Sequence, residues 1–134
     1  MNADAKDALD AARALANMAD QELLVLRLPA GADSCRVAVR ARRRGDRYDL
    51  DDNGAAIAGH DDWYPTAASV AAQTGTNVNR RGALFLPGVP RTDVAARARQ
   101  IADASARLMD ELATSGRERR RKRTRSRTGK VRDQ

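Results

Sequence analysis

Between Cys35 and Arg42 the chain alternates: Cys35, Val37, Val39 and Ala41 fall on one parity, and Arg36, Arg40 and Arg42 on the other. A helix cannot gather that pattern onto one apolar face. A strand does so directly, because successive side chains point to opposite sides of a sheet. A turn at Arg44-Gly45 would return the chain through "DRYDL". With a two-residue loop there, Arg43 pairs with Asp46, Ala41 with Tyr48, Arg40 with Asp49 and Val39 with Leu50. Apolar then meets apolar on one side and opposite charges mostly meet on the other, as cross-strand pairing favours. Arg42 against Arg47 is the one clash.

The remaining segments supply what this hairpin needs to bury its apolar side. Leu9, Ala12, Ala16, Ala19 and Leu23 recur at steps of three and four, predicting a helix over residues 4 to 20 that starts at Asn2 or Asp4. "ELLVLRL", residues 22 to 28, reads as a strand ended by "PAGADS". "TAASVAAQTG" predicts a short helix over residues 65 to 74, with Pro65 in its first turn and Gly75 closing it. "TNVNRRGALFLPG" reads as a second, shorter hairpin turning near Arg81-Gly82. Thr92 or Asp93 caps a long helix whose stripe is Val94, Ala98, Ile101, Ser105, Leu108 and Leu112, and Gly116 is expected to end it. The order α-β-β-β-α-β-β-α predicts an α+β fold, a small antiparallel sheet covered on one face by helices.

Of the 134 residues, 27 are alanine and 22 are Leu, Ile, Val or Phe. The larger apolar side chains thus make up about 16% of the chain, under the roughly 20% at which charged sequences begin to resemble disordered ones. The core is therefore thin, and a partner or self-association would help it. One cysteine, Cys35, excludes an intramolecular disulfide and a cysteine-based zinc site, and its apolar parity makes it a structural thiol. The N-terminus "MNADAKDALD" lacks the pattern of a signal peptide, and the longest run of large apolar residues is "LLVL". A cytoplasmic protein without integral membrane association is expected.

"YDLDDNG" carries the first half of a calcium loop: Asp49, Asp51 and Asn53 occupy ligand positions and Gly54 the glycine position. The position of the required bidentate glutamate holds His60, and the entering chain alternates as a strand. A turn accounts for the same residues more simply, since Asp and Asn bond nearby backbone and tolerate positive φ. Asp49, Asp51 and Asn53 remain weak metal candidates, and no metal or other cofactor is expected. A lesser alternative is a metal-dependent hydrolase joining Asp49, Asp51 and Asp52 to His60, Asp61 and Asp62. Serine-nucleophile motifs, phosphate-binding glycine loops and His/Cys clusters are missing, so no catalytic residue is assigned and an enzyme is not expected.

From Val37 to Leu112 the chain resembles a bacterial and phage family catalogued as domain of unknown function 1828. The resemblance rests on "YDLDDNGAAI", "VAAQTGTNVNRRGALFL" and "VAARARQIADASARLMDEL". It implies a small α+β module with no assigned catalytic residues. The basic tail departs from that pattern.

The net charge of +7 is unevenly placed. From Arg117 to Gln134 there are ten Arg or Lys against Glu118 and Asp133, whereas residues 1 to 116 sum to −1. Two regions follow: a compact domain over 1–115 and a disordered Arg-rich tail over 116–134. The tail cations, Arg117, Arg119, Arg120, Arg121, Lys122, Arg123, Arg125, Arg127, Lys130 and Arg132, form the candidate nucleic-acid-binding set. Guanidinium forks match phosphate geometry, and such segments bind DNA or RNA by releasing counterions. The row Arg36, Arg40, Arg42 and Arg47 could extend that surface. The expected function is that of a small accessory protein, with the tail on nucleic acid non-specifically and the body contacting a protein partner or a second copy. The alternative is a protein-interaction or inhibitor module of phage or mobile-element type with an incidental tail.

Overall fold

The computed structural model describes residues 23–30 and 35–132. The helix expected over residues 4 to 20 lies outside the described residues, as do the side chains of Cys35 and of 117–132 and the expectations placed on them. Strands β1 (Leu23–Ala30), β2 (Cys35–Arg44) and β3 (Arg47–Asp51) come first. A 3-10 turn (Ala55–Ile57) leads to helix α1 (Tyr64–Thr74), then β4 (Asn77–Val78) and β5 (Leu84–Pro90). A second 3-10 turn (Arg91–Asp93) enters helix α2 (Val94–Arg132). The fold is α+β, and among the described residues the elements follow the expected order.

All four strand pairings are antiparallel, and the sheet runs β1-β2-β3-β5-β4. The central hairpin exists, but its register differs from the expected one. Its loop is Gly45-Asp46, and Arg44 pairs with Arg47, Arg43 with Tyr48, Arg42 with Asp49, Ala41 with Leu50 and Arg40 with Asp51. Turn chemistry decides this: Gly45 takes φ 64° and Asp46 stays out of positive φ, as a type II′ turn requires. The shift moves β3 by two residues along β2, so every side chain keeps its face. It also replaces the expected Arg42 and Arg47 clash with an Arg42 and Asp49 pair.

Between β3 and β5 the register slips at Tyr48 and Leu50. Pro87 has no N–H to offer the ladder, and Gly88 takes φ 60°, the backbone of a bulge. Asp49 Oδ1 accepts the Gly88 N–H at 2.9 Å, which ties the bulge to β3.

One face of the sheet is covered by α2. All six stripe residues, Val94, Ala98, Ile101, Ser105, Leu108 and Leu112, are fully buried. They pack on Leu26, Leu28, Val37, Val39 and Leu50 at one end, and with Ala67, Val70 and Leu84 at the other. Each fully buried Leu or Ile contributes roughly 1.5–3 kcal/mol. Helix α1 ends as expected, with Gly75 at φ 71° and its N–H donating to the Ala71 carbonyl. Gly116 does not end α2. Its φ is not positive and a Cβ there would meet open space, so it is an ordinary helical residue, and helical backbone continues to Arg132.

Gly82 in the β4–β5 turn has φ 81°, and a Cβ there would run into Ile57. Gly45 has φ 64° with open space around it. Gly45→Ala should therefore lose about 1–2 kcal/mol from backbone strain alone. Gly82→Ala should lose more, about 2–4 kcal/mol, because packing strain is added. Urea unfolding midpoints of the two variants check the order.

Candidate nucleic-acid interface

The strand parity that buries Val37, Val39 and Ala41 turns the alternate residues of β2 to the other face of the sheet, which no element among the described residues covers. Pairing sets Arg27 of β1, Arg36, Arg40, Arg42 and Arg44 of β2 and Arg47 of β3 on this face. The row expected from sequence is present and is joined by Arg27 and Arg44. Asp49 and Asp51 of β3 share the face. Arg40 Nε binds Asp51 Oδ1 at 2.8 Å, and Arg44 Nη1 binds Asp49 Oδ2 at 3.1 Å. Arg36 donates to the Arg27 carbonyl and Arg47 to the Gly88 carbonyl. Six arginines against two aspartates leave this face at a formal +4. The near-neutral total of residues 1 to 116 conceals that one-sidedness. Phe85, paired with Asp51 and Asn77, is half-buried at the end of the face nearest β4.

The ten tail cations follow on α2. Residues 117–132 carry all of them on helical backbone, about 24 Å of it at 1.5 Å per residue.

The acidic segment builds the turn that closes the sheet. Asp51 Oδ1 accepts the Asn53 N–H at 2.8 Å, Asn53 takes φ 59° and Gly54 φ 72°. For Asp49, burial works upward on the carboxyl. The Gly88 N–H and the guanidiniums of Arg44 and Arg42 outweigh it and hold the group below its ordinary value of 3.8. His60 is half-buried, and Asp61 and Asp62 are exposed. Among the described residues no group of three or more His, Cys, Asp or Glu is placed to hold a metal ion.

Asp52, named from sequence only as a member of the acidic cluster, has a buried structural role that sequence reasoning missed. It is 1% exposed and lies where β3, β5 and α2 meet. Its Oδ1 accepts the N–H of Leu84 at 2.9 Å and of Gly54 at 3.0 Å, and Ser105 Oγ donates to its Oδ2 at 2.8 Å. Its own N–H donates to the Leu84 carbonyl at 3.1 Å. A sequence signal existed: Tyr48, Leu50 and Asp52 share the buried parity, and Ser105 is the polar member of the α2 stripe. Burial raises the Asp52 carboxyl above 3.8, aided by neighbouring Asp51 and opposed by the three donated hydrogen bonds.

No helix of the described residues is long and apolar enough to cross a membrane. The chain matches no family model, no curated protein and no solved structure.

Asp52→Ala strands the donors of Leu84, Gly54 and Ser105 and should cost about 2–4 kcal/mol. Ser105→Ala leaves one buried carboxylate oxygen without its donor and should cost about 1–3 kcal/mol. Asp52→Asn keeps the shape and can keep all three bonds, with Ser105 accepting. Because the folded pKa of Asp52 is raised, its contribution is full below the ordinary carboxyl value and is lost as pH rises through the folded pKa. The stability of the Asn variant relative to the parent should therefore rise with pH across the carboxyl range and then level off. Urea unfolding as a function of pH measures that difference, and a difference that falls with pH contradicts the assignment.

Proposed function

We propose that this protein is a small accessory protein that holds nucleic acid non-specifically while its body makes a protein contact. The observation that carries the reading is the one-sided charge. Among the described residues no element covers the +4 sheet face, in a body that sums to −1, and ten further cations follow core residue Leu112 on the same helix. Arginine suits this role because its planar fork binds phosphate oxygens in pairs. The resulting contact is with backbone, which positions a protein without reading bases. Phe85 is the single aromatic residue placed on the face for stacking among the described residues.

The protein contact is supported by β1. It is an edge strand, and Leu23 and Val25 stand 43% and 47% exposed on it. That edge also favours the alternative reading, a protein-interaction module with an incidental basic segment.

Fluorescence anisotropy against labelled duplex DNA and single-stranded RNA, over a range of salt, tests the proposal. The full chain is compared with a chain ending at Ser115, whose folding is verified by circular dichroism. On duplex DNA the log–log salt slope should fall by about 0.9 for each phosphate contact removed. Truncation should abolish most binding, and Arg27→Gln, Arg36→Gln and Arg42→Gln together should weaken what remains. Equal affinity without the tail sinks the proposal. A protein partner that co-purifies after nuclease and high salt, with no nucleic-acid binding by the full chain, favours the alternative.

A further inference from the structure

Tyr48 has a polar atom that the fold does not use. It is 4% exposed, on the covered side of the sheet between Arg43 of β2 and Val89 of β5. No described residue hydrogen-bonds its hydroxyl, although a buried tyrosine hydroxyl usually finds a partner and an unpaired buried one is costly. Tyr48 lines a partly enclosed cavity of about 240 Å³ together with Arg43, Gly45, Asp46 and Arg91.

The lining has a clear chemical bias. Arg43 enters from the end of β2, and its Nε donates to the Gly45 carbonyl at 3.0 Å, which fixes the guanidinium beside the hairpin turn. Arg91 enters from the opposite side, at the start of the 3-10 turn that leads into α2. The lining thus holds two guanidiniums and one carboxylate, that of Asp46. A phenol O–H and two guanidiniums are donors suited to an oxyanion. The volume is below the roughly 300–1,000 Å³ of sites for drug-sized ligands, which limits the occupant to a small ion or the headgroup of something larger. The cavity is also separate from the arginine face, because Arg43 and Tyr48 lie on the opposite parity.

We propose that this cavity is a binding site for a phosphate monoester group. The Tyr48 hydroxyl donates to one phosphate oxygen, and Arg43 and Arg91 neutralise the others. The group is supplied either by a small phosphate compound or by the phosphorylated end of a nucleic-acid strand. The site does not depend on the tail or on the sheet face, so it stands or falls separately from the proposed function.

Thermal unfolding of the full chain with increasing inorganic phosphate, against sodium chloride at matched ionic strength, tests the site. The melting temperature should rise with phosphate and saturate, as binding to the native state alone requires. Tyr48→Phe removes the hydroxyl and nothing else. It should weaken phosphate binding roughly tenfold or more, the loss expected for one hydrogen bond to a charged group. Without phosphate the same variant should be as stable as the parent or more so, since an unpaired buried oxygen has gone. Arg91→Gln should weaken phosphate binding as well. Ribose 5-phosphate, and matched oligonucleotides with 5′-phosphate or 5′-hydroxyl ends, then separate the two sources: preference for the phosphorylated strand end assigns the group to nucleic acid, and saturation by ribose 5-phosphate without end preference assigns it to a small compound. A phosphate effect no larger than that of chloride overturns the proposal. So does an undiminished effect in Tyr48→Phe, or a Tyr48→Phe variant that is less stable without phosphate.

Discussion

The Asp52 carboxylate ties the end of β3 to the start of β5 and to α2 through buried hydrogen bonds, and the side that α2 turns to the sheet depends on it. The bond to Leu84 locks the end of β3 against the start of β5, so the crossover through α1 returns in one register. The bond from Ser105 reaches 53 residues along the chain and fixes which side of α2 faces the sheet. Rotating or sliding the helix would separate a buried hydroxyl from a buried carboxylate, and the penalty for either group alone exceeds the gain from their pairing. In a core where, among the described residues, ten of the 23 buried apolar ones are alanine, shape alone selects weakly and such a pair supplies the selection.

The hairpin of β2 and β3 shows the same economy on the opposite side of the sheet. Its register places Arg42 opposite Asp49 and Arg40 opposite Asp51, and Arg44 reaches Asp49 diagonally. Partly exposed ion pairs of this kind contribute little to stability. Their effect is on the surface that remains: the aspartates lie toward β5, while Arg27 and Arg36 lie toward β1. The positive field of the face is therefore graded across the strands.

Much of this architecture was legible in the residues. The stripe from Val94 to Leu112 is buried at every expected position, because apolar side chains at a 3.6-residue period line up on one side of a helix and on no side of a strand. The two hairpins and the helix closed by Gly75 were legible for similar reasons. The register of the first hairpin was not, because two registers that differ by two residues bury the same side chains. The backbone preference of Gly45 separates them, together with the different cross-strand charge pairs. Gly116 shows the limit of reading glycine as a stop, since it closes a helix only where the chain turns into positive φ. Asp52 was hidden by its neighbours: in "DLDDNG" every acid resembles a turn former, although strand parity marks one of them as buried. The arginine row was visible from alternation, but its extension to Arg27 and Arg44 needed the pairing of β1 and β3. The cavity beside Tyr48 joins the end of one strand to the residue after another, and no local pattern links those positions.

The two ends of the sheet are unequal. On one side β4 is two residues long, while on the other β1 presents eight residues that, among the described residues, pair only with β2. Strand addition from another molecule therefore has room on one side alone. If a second copy is the occupant, β1 meets its own equivalent about a two-fold axis, and both free borders of the joined sheet are then β4. Such an assembly closes at two molecules. A long strand at each border would instead let copies add without end, so in that arrangement the shortness of β4 would limit growth to two copies.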